Sequence, residues 1–154
     1  MTAAAVADAS PLIALQQVGQ LGLLRALFGQ VSIPPAVARE VRPTVPAASW
    51  IVERALSRPI GPLAQRANLA AGEREALSLA LELRAAHLVV DEKAARQAAV
   101  ALGLNVVGTV GVLLAAKRKG LIPDIRPILD DLVRQGFWLA PRLVEQALLA
   151  AGEA

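Results

Sequence analysis

Leu88-Val89-Val90-Asp91-Glu92-Lys93-Ala94-Ala95-Arg96 is the stretch that decides the fold. Three apolar residues, two of them β-branched, stop at a carboxylate and pass at once into a run of good helix formers. The opening of the chain has the same form. Ala3-Ala4-Ala5-Val6-Ala7 ends at Asp8, and Ser10-Pro11 then starts a helix, with Ser10 as N-cap and Pro11 at the first helical position. Short apolar strands that feed helices predict a parallel sheet covered on both faces. In such sheets ligands sit outside the carboxyl ends of the strands. Asp8 and Asp91 both fall there.

Strands and helices alternate through the rest of the chain. Val31-Ser32-Ile33 reads as a short strand, and Pro34-Pro35 starts a helix through Val41. Trp50, Ile51 and Leu56 predict a further helix, and Arg58 to Leu63 an irregular segment or short edge strand. A helix is expected from Glu73 to about Arg84, a strand over residues 88–91, a helix over 92–102 and a strand over 105–107. Thr109 reads as the cap of a helix to Lys119, and helices from about Ile125 and from Pro141 flank Phe137-Trp138-Leu139. The expectation is α/β: a three-layer α/β/α sandwich with a mostly parallel sheet of about four to five strands, in one domain over residues 1–154.

Composition removes several classes of chemistry. The 154 residues contain no Cys and one His, His87, which excludes thiolate metal sites, disulfides and a His-rich site. Any bound metal has to be a hard cation held by oxygens. The net charge of +3 permits an anionic partner without requiring one. With 55% hydrophobic but only 3% aromatic residues, the core has to be built from Ala, Leu, Val and Ile. No signal peptide is evident, and the longest apolar run, Val106 to Ala116, is broken by Gly108, Thr109 and Gly111 and is too short to span a bilayer. A cytoplasmic protein without membrane contact is expected. No Gly-rich phosphate loop argues for a phosphotransfer domain.

The carboxylates carry the remaining information. Asp8 has no capping task if Ser10 caps the helix, whereas Asp91 has a competing reading as an N-cap. Side by side on neighbouring strands, the two would repel unless a cation lay between them. In the helix after Gly72, the apolar stripe Ala76, Leu77, Ala80, Leu81 has Glu73 three and four residues before its start, which puts Glu73 on the inward face. Glu75 groups with Leu79 and Glu82 toward the outside. Glu40 borders an apolar face but stands between Arg39 and Arg42, as a solvated residue would. Glu92 and Arg96 read as a surface ion pair, His87 as a surface residue, and Trp50 and Trp138 as core or interface. Lys117-Arg118-Lys119 reads as helix C-terminal charge.

Taken in order, these segments resemble PIN domains, the fold of many metal-dependent ribonucleases. Asp8-Ala-Ser-Pro-Leu-Ile resembles the opening motif, and Pro35-Ala-Val-Ala-Arg-Glu40-Val the segment bearing the second acid. Gly72-Glu73-Arg-Glu-Ala-Leu resembles the third, Val90-Asp91-Glu-Lys-Ala-Ala-Arg96 the fourth, and Gly108-Thr109-Val-Gly-Val-Leu-Leu the segment after it. Gly136-Phe-Trp-Leu and Gly152-Glu153 resemble endings of a prokaryotic branch related to VapC-like toxins. The resemblance implies a ribonuclease whose acids Asp8, Glu40, Glu73 and Asp91 bind Mg2+ or Mn2+ and act in catalysis, with Ser10, Arg96 and Thr109 as secondary contacts. Two departures bear on how many metals bind: Glu73 stands where many PIN nucleases have Asp, and Lys93 stands where an acid is common. The expected partners are an RNA substrate, a second copy of the chain in a homodimer and, from the resemblance alone, a cognate antitoxin protein. The rival expectation is a catalytically silent PIN-like module that works by binding protein or RNA.

Overall fold

A computed structural model describes residues 4–61, 65 and 68–154. Five strands form one sheet: β1 (Ala5–Ala7), β2 (Val31–Ile33), β3 (Ile51–Glu53), β4 (His87–Val89) and β5 (Val106–Val107). Their order is β3-β2-β1-β4-β5, and every pairing is parallel. Eight described helices flank it: α1 (Ala9–Gln17), α2 (Gly22–Phe28), α3 (Pro35–Val41), α4 (Ala71–Leu83), α5 (Lys93–Ala101), α6 (Thr109–Arg118), α7 (Arg126–Arg134) and α8 (Pro141–Ala151).

The strand order contains its own reversal. From β1 the chain winds outward through β2 and β3, then returns to the other side of β1 for β4 and β5. The switch point therefore lies between β1 and β4, where the carboxyl ends of two strands open a crevice. Asp8 and Asp91 follow those two strands. The Asp8 amide still donates to the Val89 carbonyl at 2.9 Å, so the ladder holds the backbone up to the crevice.

Side chains alternate across the sheet and fill two cores. Ala5, Ala7 and Val89 join the cluster built by α1, α2, α6 and the C-terminal helices, around Leu12, Leu24, Leu113 and Leu132. Val6, Leu88 and Val90 join the opposite cluster, with Leu77, Leu79, Ala95 and Ala99 from α4 and α5. The small residues of β1 let helices approach both faces closely. The three-layer α/β expectation holds.

Several local expectations give way. The segment around Trp50 is not a helix. Residues 51–53 form the edge strand β3, locked to β2 by Val31 N–H donating to Trp50 O and Arg54 N–H to Ile33 O, both at 2.8 Å. Two β-branched residues facing an unpaired strand outweigh a loose helical spacing. Residues 58–61 are irregular, and Leu63 lies outside the described residues. Strand β1 begins at Ala5, with Ala3 outside the described residues, and β4 spans His87–Val89. Helix α1 begins one residue before Ser10, so Asp8 takes the N-cap position and Ser10 sits exposed within the first turn. In α4, Leu79 is fully buried and Leu81 is 41% exposed, the reverse of the amphipathic reading. The helix is covered on two sides, by α3 and by the sheet, so a single inward stripe does not describe it. His87 is half-buried, its ring 5.2 Å from that of Phe28, and not a surface residue. Phe137 to Leu139 form an irregular link between α7 and α8 with no strand partner.

Candidate functional site

Asp8 is the centre of the crevice. Its side chain is buried and, despite its N-cap position, makes no capping hydrogen bond within α1. Burial raises its carboxyl from an ordinary 3.8 to about 6; the Ala9 amide pulls the other way, and the charges of Glu73, Glu40 and Asp91 push it further up. Three carboxylates from three other segments therefore act on Asp8 at the carboxyl edge of the sheet. That is the arrangement in which like charges are costly without a counterion.

Each acid reaches the crevice by a different route. Glu40 projects from the last turn of α3 and is exposed. A β-carbon at Gly72 would lie 3.4 Å from both Asp8 Oδ1 and Glu40 Oε2, so the bare glycine opens the space that these oxygens border. Glu73, next along α4, is half-buried and accepts from the Ala70 amide at 2.8 Å. That bond fixes the first turn of the helix while the charge still acts on Asp8. Asp91 is half-buried at the end of β4. Its Oδ1 accepts from the Thr109 amide at 2.7 Å and its Oδ2 from the Thr109 hydroxyl at 2.6 Å.

The structure changes three roles read from sequence. Asp91 is not the cap of α5; Glu92 is, accepting from the Ala95 amide at 3.0 Å. Glu92 therefore makes no ion pair with Arg96. The Arg96 guanidinium instead borders the space beside Gly108 that Asp91 also borders: its Nη1 lies 3.5 Å, and Asp91 Oδ1 2.8 Å, from the position of a β-carbon there. Thr109 is not the cap of α6, a position held by Gly108; it is buried and spends both donors on Asp91. Glu75 does not point outward. Its Oε1 accepts from the Ala36 amide at 3.0 Å and so ties α4 to the start of α3, the helix that carries Glu40. A Glu two residues past a candidate ligand gave no sign of that task.

The donor set fits a hard divalent cation. Every candidate ligand is a carboxylate oxygen, with no thiolate or imidazole among them. Among the described residues no three acids are close enough to enclose an ion by themselves. Mg2+ typically keeps several waters and takes one or two carboxylates directly, so a wide, partly solvated set suits it better than a closed cage would. One carboxylate oxygen accepts more than one bond, so Asp91 keeps lone pairs beyond those used by Thr109.

A cleft of about 680 Å3 leads away from this corner. Ser10, Asp91, Lys93, Arg96 and Thr109 line its polar end, and Leu114, Phe137, Trp138 and Leu143 its apolar end. Ser10 thus stands on the cleft wall; it makes no hydrogen bond to any of the four acids.

Comparison with known proteins agrees with this architecture. A model of the PIN-domain family matches residues 4–153. A solved structure of a PilT N-terminus domain protein from the hyperthermophilic archaeon Sulfolobus solfataricus P2 is similar, with a TM-score of 0.58 and 24% identity over 73% of this chain and 92% of that one. At that identity the likeness speaks for the fold alone. No curated protein matches the chain.

Proposed function

We propose a function from one premise: this chain belongs to the PIN-domain family. PIN domains are generally nucleases. Our reading is a metal-dependent ribonuclease that hydrolyses RNA phosphodiester bonds with Mg2+ or Mn2+, as the toxin of a toxin–antitoxin pair. The observation that carries it is the buried Asp8 carboxyl bordering, with Glu40, the space left open at Gly72, where Glu73 and Asp91 also help to raise its carboxyl to about 6. A structural carboxylate is ordinarily paired with a cation or hydrogen-bonded, which lowers its pKa. The Ala9 amide pulls Asp8 down, yet burial and the three neighbouring acids keep its carboxyl raised, as fits a group set aside for a ligand.

In this reading Asp8 and Asp91 hold the cation directly, and Glu40 and Glu73 hold its waters or a second ion. The cation would supply activation of a water and neutralise charge in an in-line displacement at phosphorus. The protein's own groups do the rest. Thr109 fixes the plane of the Asp91 carboxylate through two bonds. Gly72 and Gly108 leave room beside the oxygens. Arg96 brings a positive charge to the cleft that Asp91 lines, which favours a polyanion. An RNA substrate, a homodimer and an antitoxin that blocks the cleft belong to the same proposal.

The silent-module reading draws on a different fact, the lack of a ready-made enclosure among the described acids. One experiment separates the two. Purified protein is incubated with single-stranded RNA in Mn2+, in Mn2+ with excess EDTA, and as the Asp8→Asn variant. The nuclease reading expects cleavage in the first case alone. Cleavage that persists in EDTA or in the variant refutes this site, and no cleavage under any condition favours the silent module.

A further inference from the structure

The chain has four aromatic residues beside His87, two Trp and two Phe, with no Tyr. Two of the four, Phe137 and Trp138, stand together on the cleft that contains Asp91, Arg96 and Thr109. In the link between α7 and α8, neighbouring side chains alternate in burial. Phe137 and Leu139 turn inward against the core, whereas Trp138 is turned out and 82% exposed. The Phe137 amide donates to the Leu132 carbonyl at 3.0 Å, which fixes the start of the link. The indole is therefore carried on an anchored backbone. It is the most exposed of the large hydrophobic side chains among the described residues.

Charge indicates what the cleft takes. Its lining holds three charged side chains: Asp91, a candidate cation ligand, and the bases Lys93 and Arg96. No other acid faces it. Two bases against one acid leave this end net positive, and the far end offers a flat aromatic surface over apolar walls. An anionic backbone with planar bases matches both ends, whereas an apolar peptide would leave Lys93 and Arg96 unmatched. Base–aromatic stacking with basic groups along the backbone is how single strands are held without reading sequence.

We propose that this cleft seats single-stranded RNA beside the cut site, with one unpaired base stacked on Trp138. The proposal rests on the ribonuclease reading and adds a strand preference to it. Trp138 is a positioning residue: it aligns the strand so that a phosphate reaches the acids. Duplex RNA cannot offer a splayed base to the indole and binds more weakly.

The test uses a Trp50→Phe background, in which Trp138 is the sole indole and the half-buried site of Trp50 keeps an aromatic ring. A short single-stranded RNA is titrated in EDTA, so that binding is read by emission without cleavage. Quenching is expected, and adding Trp138→Ala should weaken binding, followed by anisotropy of labelled RNA, by roughly 5- to 150-fold. Trp138→Phe should retain most of the affinity. In Mn2+, Trp138→Ala should raise KM far more than it lowers kcat. Unchanged emission overturns the proposal, as does a Trp138→Ala variant that binds single-stranded RNA like its parent. A Trp138→Ala change that only converts a dimer to a monomer would assign the indole to contact between copies and also overturn it. The two readings fail separately. Metal-dependent cleavage indifferent to Trp138 leaves the nuclease standing without this seat, and Trp138-dependent binding with no cleavage leaves the seat without the nuclease.

Discussion

Thr109 holds both oxygens of Asp91, one through its backbone amide at 2.7 Å and the other through its hydroxyl at 2.6 Å. The pair joins the end of β4 to the start of α6, so the orientation of one candidate ligand depends on a neighbouring strand–helix junction. In Thr109→Val the amide bond survives and the hydroxyl bond is lost, with little change in volume. Loss of such an orienting partner typically costs about 10- to 100-fold in metal affinity or activity. We expect that loss in Mn2+ calorimetry and in RNA cleavage, with Thr109→Ser close to the parent. A Val variant equal to the parent in both assays would remove Asp91 from the ligand set.

Asp8 predicts a pH dependence with a definite sign. Its folded carboxyl titrates at about 6 against an ordinary 3.8. Below pH 4 both folded and unfolded chains carry the proton, and above about 6 neither does. Between these values the folded chain keeps a proton that the unfolded chain has released, so stability falls as pH rises through that window. The loss is about 3 kcal/mol at most. Asp8→Asn should therefore raise the Tm of metal-free protein at pH 7 by roughly 5–10 °C, with the difference vanishing near pH 4. Mn2+ should stabilise the parent and leave the variant unmoved. Thermal melts at both pH values, with and without the ion, decide the matter.

The two strand-end aspartates were legible in the sequence because their signal is local. An apolar run, a carboxylate and a helix start occupy consecutive residues, and the switch-point rule converts that pattern into a place. Glu73 was singled out by its spacing from the apolar stripe of its helix, whereas Glu40 needed the ordered set of motifs, since its surroundings do not distinguish it from a solvated glutamate. The task of Thr109 was hidden for a different reason. A threonine opening a helix reads as a cap, and only the register of β4 beside β5 brings Asp91 to it. Strand β3 was missed because three residues at a sheet edge carry almost no periodicity, and pairing with β2 decides them. The faces of α4 were misread because amphipathicity presumes one buried side, while this helix has two.

Gly108 gives a third prediction. A β-carbon there would fall 2.8 Å from Asp91 Oδ1, closer than two such atoms approach. Gly108 has an extended φ of −95°, so alanine is not opposed by backbone conformation. The conflict is steric and falls on the carboxylate. Gly108→Ala should keep its circular dichroism spectrum and lose most cleavage, about 10-fold or more, because displacing the ligand by a few tenths of an ångström breaks its alignment with Thr109. Full activity in a folded variant would mean that the Asp91 carboxylate can move without consequence.

The last prediction concerns the far end of the chain. Glu153 accepts from the Ile125 amide at 2.8 Å, the Arg126 amide at 3.0 Å and Lys117 Nζ at 2.9 Å. It thereby caps the N-terminus of α7 from beyond the end of α8 and ties both to α6. Burial alone would raise its carboxyl, but the Ile125 amide, Lys117 and the Arg126 amide together bring it down to about 2. A depressed value stabilises the fold above the ordinary 4.5, and that stabilisation is lost as pH falls toward 2. Glu153→Gln should lower Tm at pH 7 by several degrees and differ little from the parent near pH 2. The three helices it joins also wall the cleft that bears Trp138. Proteolysis within residues 135–140 should therefore quicken in the variant at pH 7, and equal rates for the two proteins would show that the Glu153 carboxylate does not hold the cleft together.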